Sequence, residues 1–198
     1  MGYFPFFIEI KGKKGLIVGG GKIAAHKVNK LLPFEPSLTV VAPVILKELA
    51  ENPALRCETR AFEDRDVEGK LFVIAATNDR RLNAHVAEIC RAENILVNAV
   101  DDKEQCEFLF PALVKRGKLT VGITTEGASP QVAAMLRGQI ERGLPDEIEG
   151  ILEYLSQLRE RARREIPDAE ERAQFLKEAA LLCVENMCPV FDTGYLSP

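Results

Sequence analysis

Apolar positions along this chain recur at two periods, close to two in some stretches and close to 3.6 in others. Residues 1–10 alternate loosely around Phe4, Phe6, Ile8 and Ile10, which predicts a short strand. A more apolar run at 14–18 predicts a second strand and ends on three glycines. From Ile23 to Leu32 the spacing turns helical, and Pro33 and Pro36 stop it. Strands are predicted at 38–42 and 55–59, with a short helix at 44–51 between them. Residues 71–77 and 95–100 are continuous apolar runs, the pattern of strands covered on both faces, and a helix is expected over 83–92. Further strands are expected at 108–114 and 119–124.

Strands and helices in alternation predict an α/β fold: a parallel sheet with helices on both faces and ligands at the carboxyl ends of its strands. After residue 130 the pattern is helical only, with helices expected at 131–142, 148–165 and 170–185. The chain is therefore divided into an α/β domain at 1–112, a connecting segment of mixed character at 113–143 and an all-helical region at 144–198, whose tail from Cys188 is expected to be loosely held.

Composition narrows this picture. A chain of 198 residues with 46% hydrophobic and 28% charged residues can bury a sizeable core. A net charge of −4 argues against a nucleic-acid partner, and no apolar run approaches the ~18–20 residues of a membrane span. The bases of the N-terminus follow its apolar stretch, the reverse of a secretory signal, and Phe6 stands where a myristoylation motif needs Ser or Thr, so a cytoplasmic protein is expected. Cys57, Cys90, Cys106, Cys183 and Cys188 are odd in number and scattered, with no CxxC and only His26 and His85 beside them; free thiols and no metal site are expected. Residues 1–34 carry six lysines against one glutamate, so a local basic face is compatible with an acidic total.

The strongest local signal is Gly19-Gly20-Gly21-Lys22-Ile23-Ala24, which places Gly19, Gly21 and Ala24 on G-x-G-x-x-A between a predicted strand and a predicted helix. The first glycine permits the tight turn, the second lets the backbone approach a pyrophosphate, the alanine keeps helix and strand close, and the helix start offers its amides to the phosphates. One expected piece is absent. The second strand ends on Ala42-Pro43, not on the Asp or Glu that holds a ribose, so contacts there fall to backbone groups around Pro43 and Val44. No Arg follows that strand to take a 2′-phosphate, which favours NAD.

Three further stretches carry chemistry. Thr77 and Asn78 end a buried strand among small residues, where they either contact a cofactor or form a plain strand-end turn. Asp101 and Asp102 end the next strand; neighbours point to opposite sides, so one can serve in proton transfer and the other is solvated, unless both lie in a solvated loop. The run from Thr124 through Thr125, Gly127 and Ser129 to Pro130 makes either an anion-accepting helix start or a capped helix with nothing bound. Lys115, Arg116, Lys118 and Arg137 flank it.

Taken in order, these stretches resemble the precorrin-2 dehydrogenase / sirohydrochlorin ferrochelatase family of siroheme biosynthesis. The carriers are FPFFIEIKGKKGLIVGGGKIAAHKV, LTVVAP, FVIAATND, and NAVDD followed by FLFPALVKRGKLTVGITTEGASP. The resemblance implies a Rossmann-type domain, a dimerisation segment at 113–143 and a helical C-terminal region in a homodimer. It implies NAD-dependent oxidation of precorrin-2 to sirohydrochlorin, with Fe²⁺ insertion into the product left open. Asp101 matches the family's key catalytic aspartate, and Asp102 does not. Gly19, Gly20, Gly21, Lys22, Ile23, Pro43 and Val44 match its NAD contacts, with Thr77 and Asn78 beside them. Thr125 matches a substrate-cleft position that is often serine, and Gly127 and Ser129 accompany it. The tetrapyrrole is a polycarboxylate, so Arg116 and Arg137, with Arg80, Arg81, Lys115 and Lys118, are candidate partners. At 198 residues the chain is expected to lack the methyltransferase domain of larger fusions. Two other readings stay open: an NAD-dependent dehydrogenase of another small substrate, and a non-catalytic NAD-sensing protein.

Overall fold

The structure is a computed structural model that describes residues 3–100 and 102–186. Five short strands form a fully parallel sheet in the order β3-β2-β1-β4-β5. They are β1 (Lys14–Val18), β2 (Ser37–Val41), β3 (Leu55–Glu58), β4 (Phe72–Ala75) and β5 (Leu96–Ala99). Helix α1 (Lys22–Leu31) follows β1, the single-turn α2 (Lys47–Ala50) follows β2, and α3 (Arg80–Ala92) follows β4.

The strand alternation explains why the strands read as unbroken apolar runs. Leu16, Val18, Val41, Val73, Ala75, Val97 and Ala99 point to one face, where they meet Val86, Ala87 and Cys90 of α3. Ile17, Leu38, Val40, Phe72 and Ile74 point to the other, where Ala24, Ala25 and Val28 of α1 and Leu49 of α2 cover them. Both faces are dry, so no strand position on β1 or β4 after its first residue can be polar. The strand order reverses between β1 and β4, the place where a doubly wound sheet opens a crevice at its carboxyl edge.

The chain divides into two compact units, Met1–Phe110 and Pro111–Pro198. Segments 113–143 and 144–198 both fall in the second unit. There β6 (Ala112–Arg116) and β7 (Leu119–Ile123) pair antiparallel, and α4 (Pro130–Gly143) follows. Helices α5 (Ile148–Glu165) and α6 (Ala169–Glu185) then pack through Leu158, Ala162, Ile166, Phe175 and Ala179.

Three expectations need correction. Residues 3–10 form no strand: Pro5 lacks a donor, Phe6 and Phe7 break the alternation, and Phe4, Phe6 and Phe7 are each at least 75% exposed. The strand expected at 108–114 starts only at Ala112, because Phe108 and Phe110 pack onto the α1 side of the sheet and Pro111 cannot donate. The Phe110 ring also lies 3.9 Å beneath the Lys27 ammonium of α1. The helix expected at 44–51 shrinks to Lys47–Ala50, held open at its start by the bond from the Leu46 amide to the Gly20 carbonyl. Among the described residues no helix is long and apolar enough to cross a membrane.

Ile74 is fully buried on the α1 side of a central strand. Truncation to Ala should cost about 2–5 kcal/mol of unfolding free energy, read from urea denaturation of the purified chain. A loss well under this range would show that the sheet face repacks around the cavity.

Candidate cofactor site

The connection from β1 to α1 is built so that side chains are excluded. Gly19 has φ +125°, and a Cβ there would lie 2.3 Å from the Ala76 carbonyl oxygen. A Cβ on Gly20 would lie 2.3 Å from the Val44 carbonyl oxygen. These two glycines therefore let the turn close against the ends of β4 and β2. Gly21 differs: a Cβ there meets nothing within 4 Å, because the residue borders open space.

That space is a cavity of about 690 Å³, within the range of small-molecule and cofactor sites. Its walls include Gly19, Gly20, Gly21, Lys22 and Ile23 from the turn, Pro43 and Val44 after β2, and Thr77 and Asn78 after β4. The structure thus brings all nine predicted cofactor residues to one cavity. Helix α1 opens onto it with no side-chain cap and no acidic residue in its first turn. By contrast, α3, α4 and α6 are capped by Asp79, Ser129 and Asp168. An uncapped helix start presents unpaired amides and a positive dipole end, which suits a phosphate. The residues fit a dinucleotide: an amide cradle kept free of side chains, and apolar walls from Val41, Pro43, Val44, Phe62 and Leu82.

One residue of the site was missed in the sequence. Asn83 is buried in α3, and its amide pairs with Thr77 as a neighbouring strand would. Its Oδ1 accepts from the Thr77 amide at 3.1 Å, its Nδ2 donates to the Thr77 carbonyl at 3.1 Å, and the Thr77 hydroxyl lies 2.7 Å from Oδ1. This fixes the backbone of the β4 exit. The signal was present: Asn83 shares the helical face of Val86, Ala87 and Cys90, a polar residue on an otherwise apolar stripe. Asn98, buried within β5, likewise spends its amide on backbone, donating to the Phe108 carbonyl at 2.8 Å.

Asp101 lies outside the described residues. On either side of it, the Val100 amide donates to the Ala75 carbonyl at 2.9 Å, and Asp102 is exposed, its carboxylate accepting from the Gln105 amide at 3.3 Å. Asp102 thus caps the turn Lys103–Gln105. A small pocket of about 70 Å³ beside it is bordered by Arg80, Asn83 and Val100. The Cys106 thiol, pushed up by burial, sits 3.1 Å from the Ala99 carbonyl. Burial and then Lys30 and Lys27 lower the His26 pKa, and His85 faces Asp64 at 2.9 Å.

In the second unit the predicted substrate groups bond within the unit, Thr125 and Ser129 to each other and the bases to glutamates. The Thr125 hydroxyl bridges the Ser129 amide and carbonyl at 3.1 and 3.0 Å, Gly127 takes φ +85°, and Ser129 Oγ caps α4 through the Val132 amide at 3.2 Å. Arg116 pairs with Glu149 at 3.3 Å, Lys118 with Glu153 at 3.0 Å and Arg137 with Glu141 at 2.7 Å. Lys118 holds Glu153 below the usual carboxylate range.

The parallel sheet, its switch point and the glycine cradle define a nucleotide-binding Rossmann-type domain. Residues 6–112 match the family described as "Putative NAD(P)-binding", and residues 116–143 match "Sirohaem biosynthesis protein central". The chain belongs to this NAD(P)-binding family, in the form that carries the siroheme-biosynthesis central segment, and its cofactor is a nicotinamide dinucleotide. It is 39% identical over 178 residues to a siroheme synthase of Methylococcus capsulatus, covering 88% of this chain and 38% of that protein. A siroheme synthase of Thioalkalivibrio sulfidiphilus is 38% identical, with 88% and 36% covered. The chain thus spans under two fifths of the length of these relatives. Among solved structures, SirC, precorrin-2 dehydrogenase, shares the fold with a TM-score of 0.72 at 24% identity, over 98% of this chain and 92% of that one.

The two glycines flanking the cradle predict opposite outcomes. Gly21→Ala should leave the thermal midpoint near its original value and weaken NADH binding by roughly tenfold or more, since the added methyl enters only the cavity. Gly19→Ala should destabilise the fold by at least ~1–2 kcal/mol, because φ is positive and a carbonyl blocks the methyl. NADH fluorescence titration with parallel thermal melts separates the two. Asn83→Ala should cost about 1–3 kcal/mol by leaving the Thr77 backbone unpaired.

Proposed function

We propose that this chain catalyses the NAD-dependent oxidation of precorrin-2 to sirohydrochlorin. The observation that carries the reading is the coincidence of one cavity, built from all nine predicted cofactor residues, with a two-part family match that attaches a siroheme-biosynthesis segment to it. The names of the relatives and of the structural neighbour point to the same pathway. When bound, NAD supplies the hydride acceptor for the ring-system hydrogen. The uncapped start of α1 and the backbone of Gly19–Ile23 hold the pyrophosphate. Pro43 and Val44 flank the adenosine ribose, and Thr77 and Asn78 line the exit of β4 towards the reacting end. Asp101 takes the proton that leaves with the hydride, and its position after β5 supports that role.

NAD is favoured over NADP by the charge of the walls. Among the described residues Lys22, at the helix start, is the one charged residue lining the cavity, no Arg follows β2 to meet a 2′-phosphate, and the nearest base, Lys47, does not line the cavity and pairs with Glu51 at 3.6 Å. The substrate is a polycarboxylate, and Thr125, Gly127, Ser129, Arg116 and Arg137 are proposed to bind it; the ion pairs that Arg116 and Arg137 now make would exchange for substrate carboxylates. A homodimer through 113–143 is part of the same reading. So is iron insertion, in which Fe²⁺ replaces the two pyrrolic protons of sirohydrochlorin, and the relatives' name, siroheme synthase, supports it.

Anaerobic incubation with precorrin-2 and NAD should give stoichiometric NADH and the spectrum of sirohydrochlorin, with NADP a poorer oxidant. Reduction of NAD by a hydroxy acid alone would overturn the reading. Asp101→Ala should lower turnover by about a hundredfold or more with NAD affinity nearly unchanged. Unchanged turnover would remove Asp101 from the mechanism. Added Fe²⁺ should yield siroheme above a metal-only control if the chain also chelates.

A further inference from the structure

The crossover between β3 and β4 contains an arginine that the cofactor reading does not use. All five N–H groups of Arg60 are engaged by the chain itself. Nε donates to Glu58 at 3.0 Å, and Nη2 reaches the same carboxylate oxygen and also Asp66 Oδ1 at 2.6 Å. Nη1 donates to Asp66 Oδ2 at 2.8 Å and to the Ala61 carbonyl at 3.0 Å. The two carboxylates are themselves anchored. Glu58 ends β3 in register with Val41, whose side chain lines the cavity. Asp66 sits in the 3-10 turn Asp64–Val67 and accepts from the Glu63 amide at 2.9 Å; the next residue, Val67, is 1% exposed in the core.

The loop between these anchors is therefore tied at both ends and in the middle. Its next residue, Phe62, packs against the core cluster on the α3 side of the sheet and also lines the 690 Å³ cavity, as does Leu82. Among the described residues Phe62 is the one aromatic ring lining the cavity. Phe62 follows β3, the neighbour of β2, and in such sheets the adenosine ribose is held about 20 residues after the glycine turn, here at the end of β2. A purine stacks on an aromatic face without needing hydrogen bonds, so the ring must be held in place to be useful. A free loop would lose entropy on binding; a loop fixed beforehand does not.

We propose that Arg60 is a positioning residue for the adenine end of the cofactor: by binding Glu58, Asp66 and the Ala61 carbonyl together, it holds Phe62 as an aromatic wall of the cavity. This rests on the dinucleotide reading of that cavity. Calorimetric titration of the full chain with NAD, ADP-ribose and nicotinamide mononucleotide tests it. Arg60→Met and Phe62→Ala should each weaken NAD and ADP-ribose by roughly tenfold and leave nicotinamide mononucleotide unchanged. The double variant should bind no more weakly than Phe62→Ala, because Arg60 acts through that ring. Arg60→Lys keeps the charge but not the five-donor fork, and serves where Arg60→Met fails to fold; it should show the same selective loss for the adenine-bearing ligands. A folded Arg60 variant with the original ADP-ribose affinity, or losses that simply add in the double variant, would overturn the proposal. A wild-type chain that binds neither NAD nor ADP-ribose would overturn the cofactor reading itself.

Discussion

The first unit depends on a turn whose first two residues, Gly19 and Gly20, have no room for side chains. Between β1 and α1 the backbone must leave a buried strand, reverse, and start a helix whose Ala24 and Val28 seal the same sheet. The Ala76 carbonyl from β4 and the Val44 carbonyl after β2 close on that turn from two directions. This contact sets how near α1 can lie to the sheet and aims its first amides into the cavity. One steric condition therefore serves both packing and the cofactor: a bulkier turn would lift the helix off the core and turn its dipole away from the phosphate site.

The remaining walls follow from how the other strand ends are held. Parallel strands stop without hairpins, so each exit needs its own fastening. After β4 it is the buried amide of Asn83, within β5 the amide of Asn98 ties down the later Phe108, and after β3 it is the Arg60 guanidinium with its two carboxylates. Two of these are neutral pairings inside the protein, where an unmet amide is expensive and a met one is rigid. The third is an ionic cluster at the edge strand, 33% exposed at Arg60, where water lowers the cost of charge. Different chemistries at different depths give the same result, a backbone fastened by side chains from elsewhere in the unit.

Much of this was legible from residue order. The continuous runs of β4 and β5 announced strands covered on both sides, and the glycines at 19–21 announced the cradle because their context was a strand followed by a helix. The missing acid at Ala42-Pro43 was visible too, and Pro43 and Val44, where backbone contacts to the ribose are expected, line the cavity. The N-terminal segment misled, since Phe4, Phe6, Ile8 and Ile10 mimic a strand pattern while Pro5 and the Phe6-Phe7 pair deny it a ladder. Asn83 and Arg60 escaped because their partners are distant in kind: a backbone amide six residues away, and carboxylates whose pairing is decided by a crossover.

The sequence by itself determined the class of fold, the strand ends that line the cavity, and the family. These depend on local periodicity and on glycine, whose effects act within a few residues. Only the tertiary structure decided that nine separated residues share one cavity, that Gly19 and Gly20 are confined by carbonyls while Gly21 borders open space, and that Thr125 and Ser129 spend their hydroxyls on a turn and a cap. Such facts depend on which backbone group comes to lie within 3 Å of another, and that distance is set by how the strands and helices pack together.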